Sequence, residues 1–221
     1  MSELRLENIG YRYPNGDRKT LDRVSCTFEA RKLSAVIGPS GSGKTTLLSI
    51  MAGLDQPTEG TVWIDGSDLA TLDLDRYRRE RVSMIFQAFQ LFPLLTALEN
   101  VSYPMEMSGV AVQEARKRAT ALLTAVGIEG KKTKRYPAHL SGGEQQRVAV
   151  ARALSTGARV LLADEPTGNL DTENGMRVME ILHKLAHEDG YCVIVVTHDP
   201  LIAAGADHVF RLSDGVLVSE S

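Results

Sequence analysis

The sequence predicts an α/β fold in which helices cover both faces of a mostly parallel β-sheet. Compact apolar runs that are typical of buried strands, "LSAVIG", "RVLLAD" and "YCVIVVTH", are separated by longer segments with helical spacing of apolar residues. Strands that alternate with helices favour crossover connections and therefore parallel pairing. The 221 residues are enough for one sizeable domain that carries an inserted subdomain.

The first third of the chain consists mainly of short predicted strands. "LRLENI" alternates apolar and polar residues, and "GTVWIDG" is bounded by Gly60 and by a turn signal at Asp65-Gly66. "LSAVIG" leads into the helical pattern "TTLLSIMAGL", and "RVSMIF" has the composition of another buried strand. We therefore expect the sheet to begin here.

The middle of the chain has helical periodicity instead. "VQEARKRATALLTAVGI" has apolar residues three and four positions apart and ends at a glycine. The last third returns to the buried strands "RVLLAD" and "YCVIVVTH", which flank the helical pattern "TENGMRVMEILHKLAHEDG". We expect residues 89–155 to form a helical subdomain inserted into a core made of residues 1–88 and 156–221.

Composition and charge narrow the classes of partner. The formal net charge is −3, which gives no general attraction to nucleic acid or anionic lipid. Two basic runs, "RYRRER" (76–81) and "KKTKR" (131–135), are interpreted as solvated faces, so we expect no nucleic-acid partner. No apolar run approaches 18 residues, and the polar, acidic start is not typical of a signal peptide, so membrane attachment would need a partner.

One motif predicts a site for the phosphates of a nucleotide. Residues 38–45 fit G-x-x-x-x-G-K-[ST] in full, between a predicted strand and a predicted helix. The glycines let backbone N–H groups approach the phosphates, Lys44 adds a positive charge, and the Thr45 hydroxyl suits Mg²⁺. A flexible turn is the alternative, while a dinucleotide fingerprint does not fit because Thr46 replaces its third glycine. The predicted nucleotide-binding residues are Gly38, Pro39, Ser40, Gly41, Ser42, Gly43, Lys44, Thr45 and Thr46.

Two acids end the apolar run "VLLADE". Asp164 at the carboxyl end of a buried strand is suited to orient a metal ion and its waters. Glu165 is suited to act as the base for an attacking water, and neighbouring residues in a strand point to opposite faces. The alternative is that both acids are simply exposed to solvent at a strand end and have no catalytic role. The complete phosphate-binding motif in the same chain makes this alternative less favourable.

A second glycine-rich segment precedes another predicted helix. Ser141 is a good N-cap, and Gly142 and Gly143 leave the first N–H groups of the pattern "EQQRVAVARAL" uncovered, as in an anion site. A capped helix without a ligand is the alternative for these three residues alone.

The longer string "LSGGEQQRVAVARAL" resembles the signature motif of ABC-type ATPases, and the resemblance extends over essentially the whole chain. The phosphate loop at 38–45 and the acidic strand at 160–165 occur in the family's order. Gln87 in "MIFQ" is similar to the Q-loop glutamine, and His198 in "VVTHD" to the switch histidine. The D-loop match is Asn169, Leu170 and Asp171, in "GNLD" where many members begin with serine and alanine. Tyr13 in "YRYPNG" resembles the aromatic residue that stacks on adenine, with Tyr11 the second choice.

The resemblance implies a P-loop NTPase core with an antiparallel β subdomain and an inserted helical subdomain. It also implies ATP and Mg²⁺ as ligands. The implied catalytic residues are Glu165, His198, Gln87 and Lys44, and the implied Mg²⁺ residues are Thr45, Gln87 and Asp164.

In this family two subunits pair head to tail, so each signature motif caps the nucleotide held by the other subunit. This implies a homodimer in which the signature residues act on the partner's ATP and the D-loop lies at the dimer contact. The implied signature set is Ser141, Gly142, Gly143 and Glu144.

The strings "LTALENV" and "LADEPTGNLD" are similar to the branch that contains MacB-, LolD- and FtsE-type ATPases. The resemblance implies a permease of the FtsX/MacB kind, docked near the Q-loop and residues 89–107, with the ATPase on the cytoplasmic face of the membrane. Export of a peptide, antibiotic or lipoprotein is the expected function, and FtsE-like signalling without transport is the alternative. An ATPase that acts on ribosomes or DNA is less favoured, because such proteins usually carry a second ATPase domain or a long coiled-coil insertion.

Overall fold

The computed structural model describes residues 3–14 and 18–220. Positions 1–2, 15–17 and 221, which belong to the predicted core ranges, lie outside the described residues.

The strands follow one another in the order expected from the apolar runs, with four further strands that those runs did not indicate, two in the first third of the chain and two near its end. In the described part of the chain they are Leu4–Tyr11 (β1), Leu21–Phe28 (β2), Lys32–Ile37 (β3), Glu59–Ile64 (β4), Ser67–Asp68 (β5), Val82–Ile85 (β6), Val160–Asp164 (β7), Cys192–Thr197 (β8), His208–Ser213 (β9) and Val216–Glu220 (β10).

The helices confirm the four helical segments named above and add three. They are Lys44–Met51 (α1), Leu74–Glu80 (α2), Ala97–Met107 (α3), Val112–Ala125 (α4), Gly142–Ser155 (α5), Thr172–His187 (α6) and Pro200–Ala204 (α7). Short 3₁₀ turns lie at Leu69–Thr71, Gly130–Lys134 and Pro137–His139.

The strands whose ends form the site belong to a six-stranded, mostly parallel sheet. Its strand order is β10-β9-β3-β8-β7-β6, and β3 pairs in parallel with both β8 and β9. Strand β7 also runs parallel to β8, whereas β10 is antiparallel to β9. The predicted α/β class is therefore confirmed. The carboxyl ends of β3, β7 and β8 share one edge of the sheet, as parallel strands must.

The second sheet is antiparallel and confirms the β subdomain that the family resemblance implies. Its strand order is β2-β1-β4-β5, with Leu4 opposite Phe28 of β2 and opposite Ile64 of β4. Helix α1 buries Leu47, Leu48 and other apolar residues in the same core cluster as these strands. Because this core closes over α1, the start of that helix is held rigidly at the edge of the parallel sheet.

The described residues divide into two compact units. The first comprises ranges within 1–84, 159–165 and 182–221, and the second comprises 85–158 and 166–181. Residues 166–181, which the sequence-based division assigned to the core, belong to the second unit. Two hydrogen bonds explain this difference: Asn169 Nδ2 donates to the Gln87 carbonyl, and Arg147 Nη1 donates to Asn174 Oδ1.

Acidic neighbours partly neutralise both basic runs. Arg76 pairs with Glu80 at 2.9 Å and Arg81 with Asp65 at 2.9 Å, while Arg78 pairs with Asp75. Lys132 of the second run pairs with Glu144 at 2.8 Å. These contacts support the interpretation of the two runs as solvated faces.

Candidate active site

The phosphate loop joins the end of β3 to the start of α1. Gly43 is the N-cap of α1 and has a φ of +104°, in the left-handed region that favours glycine. A Cβ at Gly43 would lie 2.8 Å from the Thr20 carbonyl oxygen, so a side chain cannot be accommodated without a shift. Gly43 offers no side-chain cap, so the first N–H groups of α1 face the loop as donors for an anion.

Side chains of the loop add further donors. Lys44 Nζ donates to the carbonyls of Gly38 and Pro39 at 2.8 and 2.9 Å, which holds the ammonium over the loop. The Ser42 hydroxyl is buried and has no hydrogen-bond partner among the described residues. A buried hydroxyl needs a partner, so these groups fit a phosphate.

Burial distinguishes the two tyrosines considered for adenine. Tyr11 is 8% exposed and belongs to the core, whereas Tyr13 is 48% exposed. The Tyr13 hydroxyl lies 2.9 Å from Thr46 Oγ1 on α1, and its ring packs edge-on against Tyr11. The Tyr13 ring is thus fixed beside the phosphate loop with a free face for a base.

The two acids at the end of β7 differ in backbone conformation. Strand β7 ends at Asp164, and Glu165 has a φ of +46°, which is uncommon for a residue with a side chain. The alternation of side chains in a strand therefore does not decide where Glu165 points. Its N–H donates to the Val196 carbonyl at 2.8 Å, which holds this turn against the end of β8.

Glu165 is fixed by the last residue of β8 and by the residue that follows it. His198 Nδ1 lies 2.8 Å from Glu165 Oε1, and the buried Thr197 hydroxyl donates to Oε2 at 3.2 Å. The structure therefore brings two of the predicted catalytic residues into direct contact. Thr197 was not singled out in the sequence, because a threonine inside an apolar strand gives no signal of its own.

Asp164, like Glu165, is partly buried. Burial, followed by the negative charge of Glu165, raises the pKa of the Asp164 carboxyl, and Lys44 opposes this shift. A cation near Asp164 would offset both causes. The part of the chain that the structure describes holds no group of three or more His, Cys, Asp or Glu residues able to bind a metal alone. The Asp164 carboxylate and the Thr45 hydroxyl, on an exposed residue, are oxygen donors of the kind that Mg²⁺ prefers.

The Asp164→Asn variant is expected to be more thermally stable than the parent at pH 7 without Mg²⁺ and nucleotide. A raised pKa means that the folded state favours the protonated acid, so stability is lost as pH rises through that pKa. Solvent screens a half-buried charge, so the Tm should rise by no more than about 2–4 °C. Thermal unfolding from pH 7 down to pH 4 checks this. The difference should shrink as the pH falls, and a variant less stable at pH 7 would contradict it.

The signature segment begins α5 in the second unit. Ser141 Oγ accepts the N–H of Glu144 at 3.3 Å, and Glu144 Oε2 accepts the N–H of Ser141 at 3.0 Å, which forms a capping box. The Lys132 ammonium holds the pKa of the Glu144 carboxyl below its usual value. The N–H groups of Gly142 and Gly143 are the first two of the helix and have no acceptor within it.

An asparagine links the signature helix to the D-loop. Asp171 accepts from the Asn174 N–H at 2.9 Å and from its Nδ2 at 2.8 Å, and Arg147 Nη1 donates to Asn174 Oδ1 at 3.2 Å. A Cβ at Gly143 would lie 2.2 Å from Asn174 Oδ1, so the glycine is needed for this close approach. Sequence reasoning missed Asn174 and Arg147, because their contact joins residues 27 positions apart.

The D-loop also touches the Q-loop. Asn169 Nδ2 donates to the Gln87 carbonyl at 2.8 Å, while the Gln87 side chain is exposed. The structure thus assembles two sets of predicted site residues. The first unit holds Tyr13, residues 38–46, Asp164, Glu165 and His198, and the second holds Gln87, residues 141–144 and residues 169–171.

Comparison with known proteins decides the family. The model of the ABC transporter family matches residues 21–168. The chain belongs to this family. With the nucleotide loop, acids and signature helix described above, it is an ABC ATPase cassette.

Relatives of this cassette include the macrolide export ATP-binding/permease protein MacB of Shigella flexneri, which is 46% identical over 220 residues. The match covers 97% of the cassette and 34% of that protein. MacB of Agrobacterium fabrum is 45% identical over 222 residues, covering 98% of the cassette and 34% of the relative. The chain therefore spans about a third of the length of these curated relatives.

Solved ABC cassettes have the same fold. The dimeric, post-hydrolysis structure of the cassette MJ0796 with ADP and Pi has a TM-score of 0.90 and 40% identity, over 99% of this chain and 98% of that one. The cbiO1 protein of Clostridium perfringens has a TM-score of 0.87 and 28% identity, over 97% and 86% of the two chains. Within the described ranges of this cassette, no helix is both long and apolar enough to cross a membrane.

Proposed function

We propose that this cassette hydrolyses ATP to drive a permease of the FtsX/MacB kind, as part of an exporter at the cytoplasmic face of a membrane. The observation that carries the proposal is an exposed apolar surface after the Q-loop, which we call the docking surface and define as Phe92, Leu94, Tyr103 and Met107. Leu94 is 86% exposed and Met107 is 69% exposed. Apolar side chains displayed in this way favour a protein partner.

Internal contacts fix the part of the docking surface formed by Phe92 and Tyr103, which favours a specific role. The ring centroids of Phe92 and Tyr103 lie 5.5 Å apart in an edge-on arrangement. The buried Asn100 side chain donates to the carbonyls of Phe92, Leu95 and Thr96 and accepts the N–H of Phe92. An ordered apolar surface pays little conformational entropy on binding, as a docking site for a helix of a permease requires.

Within the nucleotide site, the proposed roles follow the geometry. Residues 38–46 hold the phosphates of ATP through backbone N–H groups and the Lys44 ammonium, and the exposed ring of Tyr13 stacks on adenine. Glu165 takes a proton from the attacking water. His198 fixes the carboxylate from one side, and its exposed imidazole is free to approach the γ-phosphate.

Thr45, Asp164 and Gln87 are the proposed residues for Mg²⁺ bound with ATP. When bound, the ion would neutralise the negative charge that develops on the phosphates during phosphoryl transfer. The chain's own contribution is to keep the Asp164 carboxylate at the end of β7, where β7 and β8 fix its backbone.

Each chain is proposed to supply half of two shared sites in a head-to-tail homodimer. Residues 141–144 of one subunit contact the γ-phosphate held by the other, and residues 169–171 lie at the contact. The free N–H groups at the start of α5 support this role, since an anion satisfies them. The related cassette MJ0796 is a dimer in its solved structures, which supports the same assembly here.

The class of cargo is proposed from the MacB relatives, whose names include macrolide export. We propose export of an antibiotic, a peptide or a lipoprotein. A transport measurement distinguishes export from FtsE-like signalling. Export requires that ATP hydrolysis moves a molecule across the membrane, whereas signalling does not.

Affinity purification tests the partnership with a permease. The Glu165→Gln chain, tagged and expressed in its native cells, is recovered from gently solubilised membranes with MgATP, beside a matched Glu165→Gln/Leu94→Asp chain. A multi-span membrane protein with a large external domain should copurify with the first chain and be reduced with the second. Recovery of ribosomes, nucleic acid or a soluble homodimer only would contradict the membrane role.

A further inference from the structure

The turn that follows the Q-loop has an unusual backbone. Phe89 and Gln90 have φ values of +55° and +49°, so two successive residues with side chains lie in the left-handed region. The Gln90 N–H reaches only the Ala88 carbonyl, at 2.5 Å, and the Phe89 N–H reaches the Phe86 carbonyl at 3.3 Å. Such a conformation persists only where the surroundings hold it.

Arg152, near the end of α5, holds this turn. Its Nη1 donates to the Gln90 carbonyl at 2.5 Å, and its Nη2 donates to the Phe89 carbonyl at 3.1 Å. The planar fork of a guanidinium matches two neighbouring carbonyl oxygens, whereas a lysine ammonium is a single point of charge. Arg152 is partly buried, and this burial lowers the pKa of its guanidinium.

The same guanidinium contacts the docking surface. Its central carbon lies 5.8 Å from the ring centroid of Phe92, within the range of a cation–π contact. Phe92 in turn packs against Tyr103. One side chain therefore joins the strained turn and the apolar docking surface to helix α5.

Helix α5 has the signature segment at its other end. Arg152 lies ten positions after Gly142, or about 15 Å along the helix. A capped helix with a buried inner face moves as one rigid body. A displacement of the turn at Phe89–Gln90 is therefore transmitted to the signature N–H groups, provided that Arg152 keeps both hydrogen bonds.

We propose that Arg152 is a positioning residue that couples the docking surface to the signature helix, so that ATP-driven dimer closure and partner binding shift the two together. This inference rests on the proposed dimeric mechanism. It assigns no contact with ATP to Arg152 itself.

Hydrogen–deuterium exchange of residues 86–95 tests the coupling without a permease. In the Glu165→Gln parent, MgATP should produce a dimer and change the exchange rates of this turn by at least tenfold. The added Arg152→Lys substitution should still allow the dimer, measured by light scattering, but the MgATP-dependent change at 86–95 should be lost. Arg118→Ala, which removes an exposed arginine paired with Glu114, is the matched control and should behave as the parent.

The outcomes separate the two levels of the proposal. A parent that stays monomeric with MgATP overturns the dimeric mechanism and the coupling with it. A parent that dimerises, with an Arg152→Lys chain that retains the full MgATP-dependent change, overturns the role of Arg152 alone. If Arg152→Lys fails to fold, Arg152→Gln replaces it, since a single side-chain amide cannot make both hydrogen bonds of the guanidinium. A full MgATP-dependent change in Arg152→Gln then also overturns the role of Arg152, and a lost one supports it.

Discussion

Glu165→Gln is expected to slow ATP hydrolysis by about 10²–10⁴ while ATP still binds. Glutamine has the shape of glutamate and can still accept a hydrogen bond from the Thr197 hydroxyl, but it cannot take a proton from water. The shared site then keeps its ATP, so the variant should accumulate as an ATP-bound dimer. Steady-state phosphate release and size-exclusion chromatography with MgATP measure the two effects.

A matched control separates this role from a general loss of charge. Glu188→Gln changes an exposed acid of the same type just after α6 and should leave turnover unchanged. If the Glu165→Gln chain hydrolyses ATP as fast as the parent, Glu165 is not the base. A variant that no longer binds ATP would indicate instead that Glu165 shapes the nucleotide site.

Gly143→Ala is expected to destabilise the cassette by about 1–3 kcal/mol and to reduce ATP hydrolysis strongly, whereas Gly142→Ala should leave stability nearly unchanged. An added Cβ at Gly143 would meet Asn174 Oδ1 at 2.2 Å and Asn174 Cβ at 2.7 Å, so rotation of the amide alone cannot relieve the clash. At Gly142 the nearest atom would lie 3.7 Å away, an ordinary contact. Chemical denaturation compares the free energies of unfolding.

The pair of glycine variants distinguishes packing from phosphate contact. Activity that falls in both variants, with stability lost only in Gly143→Ala, would support a role of both N–H groups at the partner's nucleotide. Equal stability of the two variants would contradict the close packing of Gly143 on Asn174.

Sequence reasoning predicted those parts of the fold and site that depend on short, contiguous strings. The phosphate loop was found because a strand, a glycine-rich turn and a helix must follow one another to form it. The acids of β7 were found because a compact apolar run ends at Asp164. The central strands were predicted because burial on both faces requires an uninterrupted apolar run.

Features that depend on distant pairing were missed. Strand β2 contains arginine, serine and threonine among its apolar residues, and its pairing with β1 is what makes it a strand. The positive φ of Glu165 follows from its contact with Val196 of β8, and nothing in the letters "ADEP" indicates it.

The contacts of Arg152 and Asn100 show the same limit. Arg152 meets carbonyls more than 60 positions away in the chain. Asn100 makes four hydrogen bonds to nearby backbone groups, yet an asparagine inside a helical pattern gives no sequence signal for them.

The capping box at Ser141 also determines how the signature can meet an anion. The serine oxygen already accepts one hydrogen bond from the Glu144 N–H, so its own proton is left to point away from the helix. The carboxylate that would repel an anion is occupied by the Ser141 N–H and the Lys132 ammonium. This helix end therefore offers donors in fixed directions before any partner binds. In the proposed dimer, the signature would meet the partner's ATP with its capping contacts already formed. Closure of the proposed dimer would then need α5 to move as a unit, while the contacts inside its capped end stay as they are.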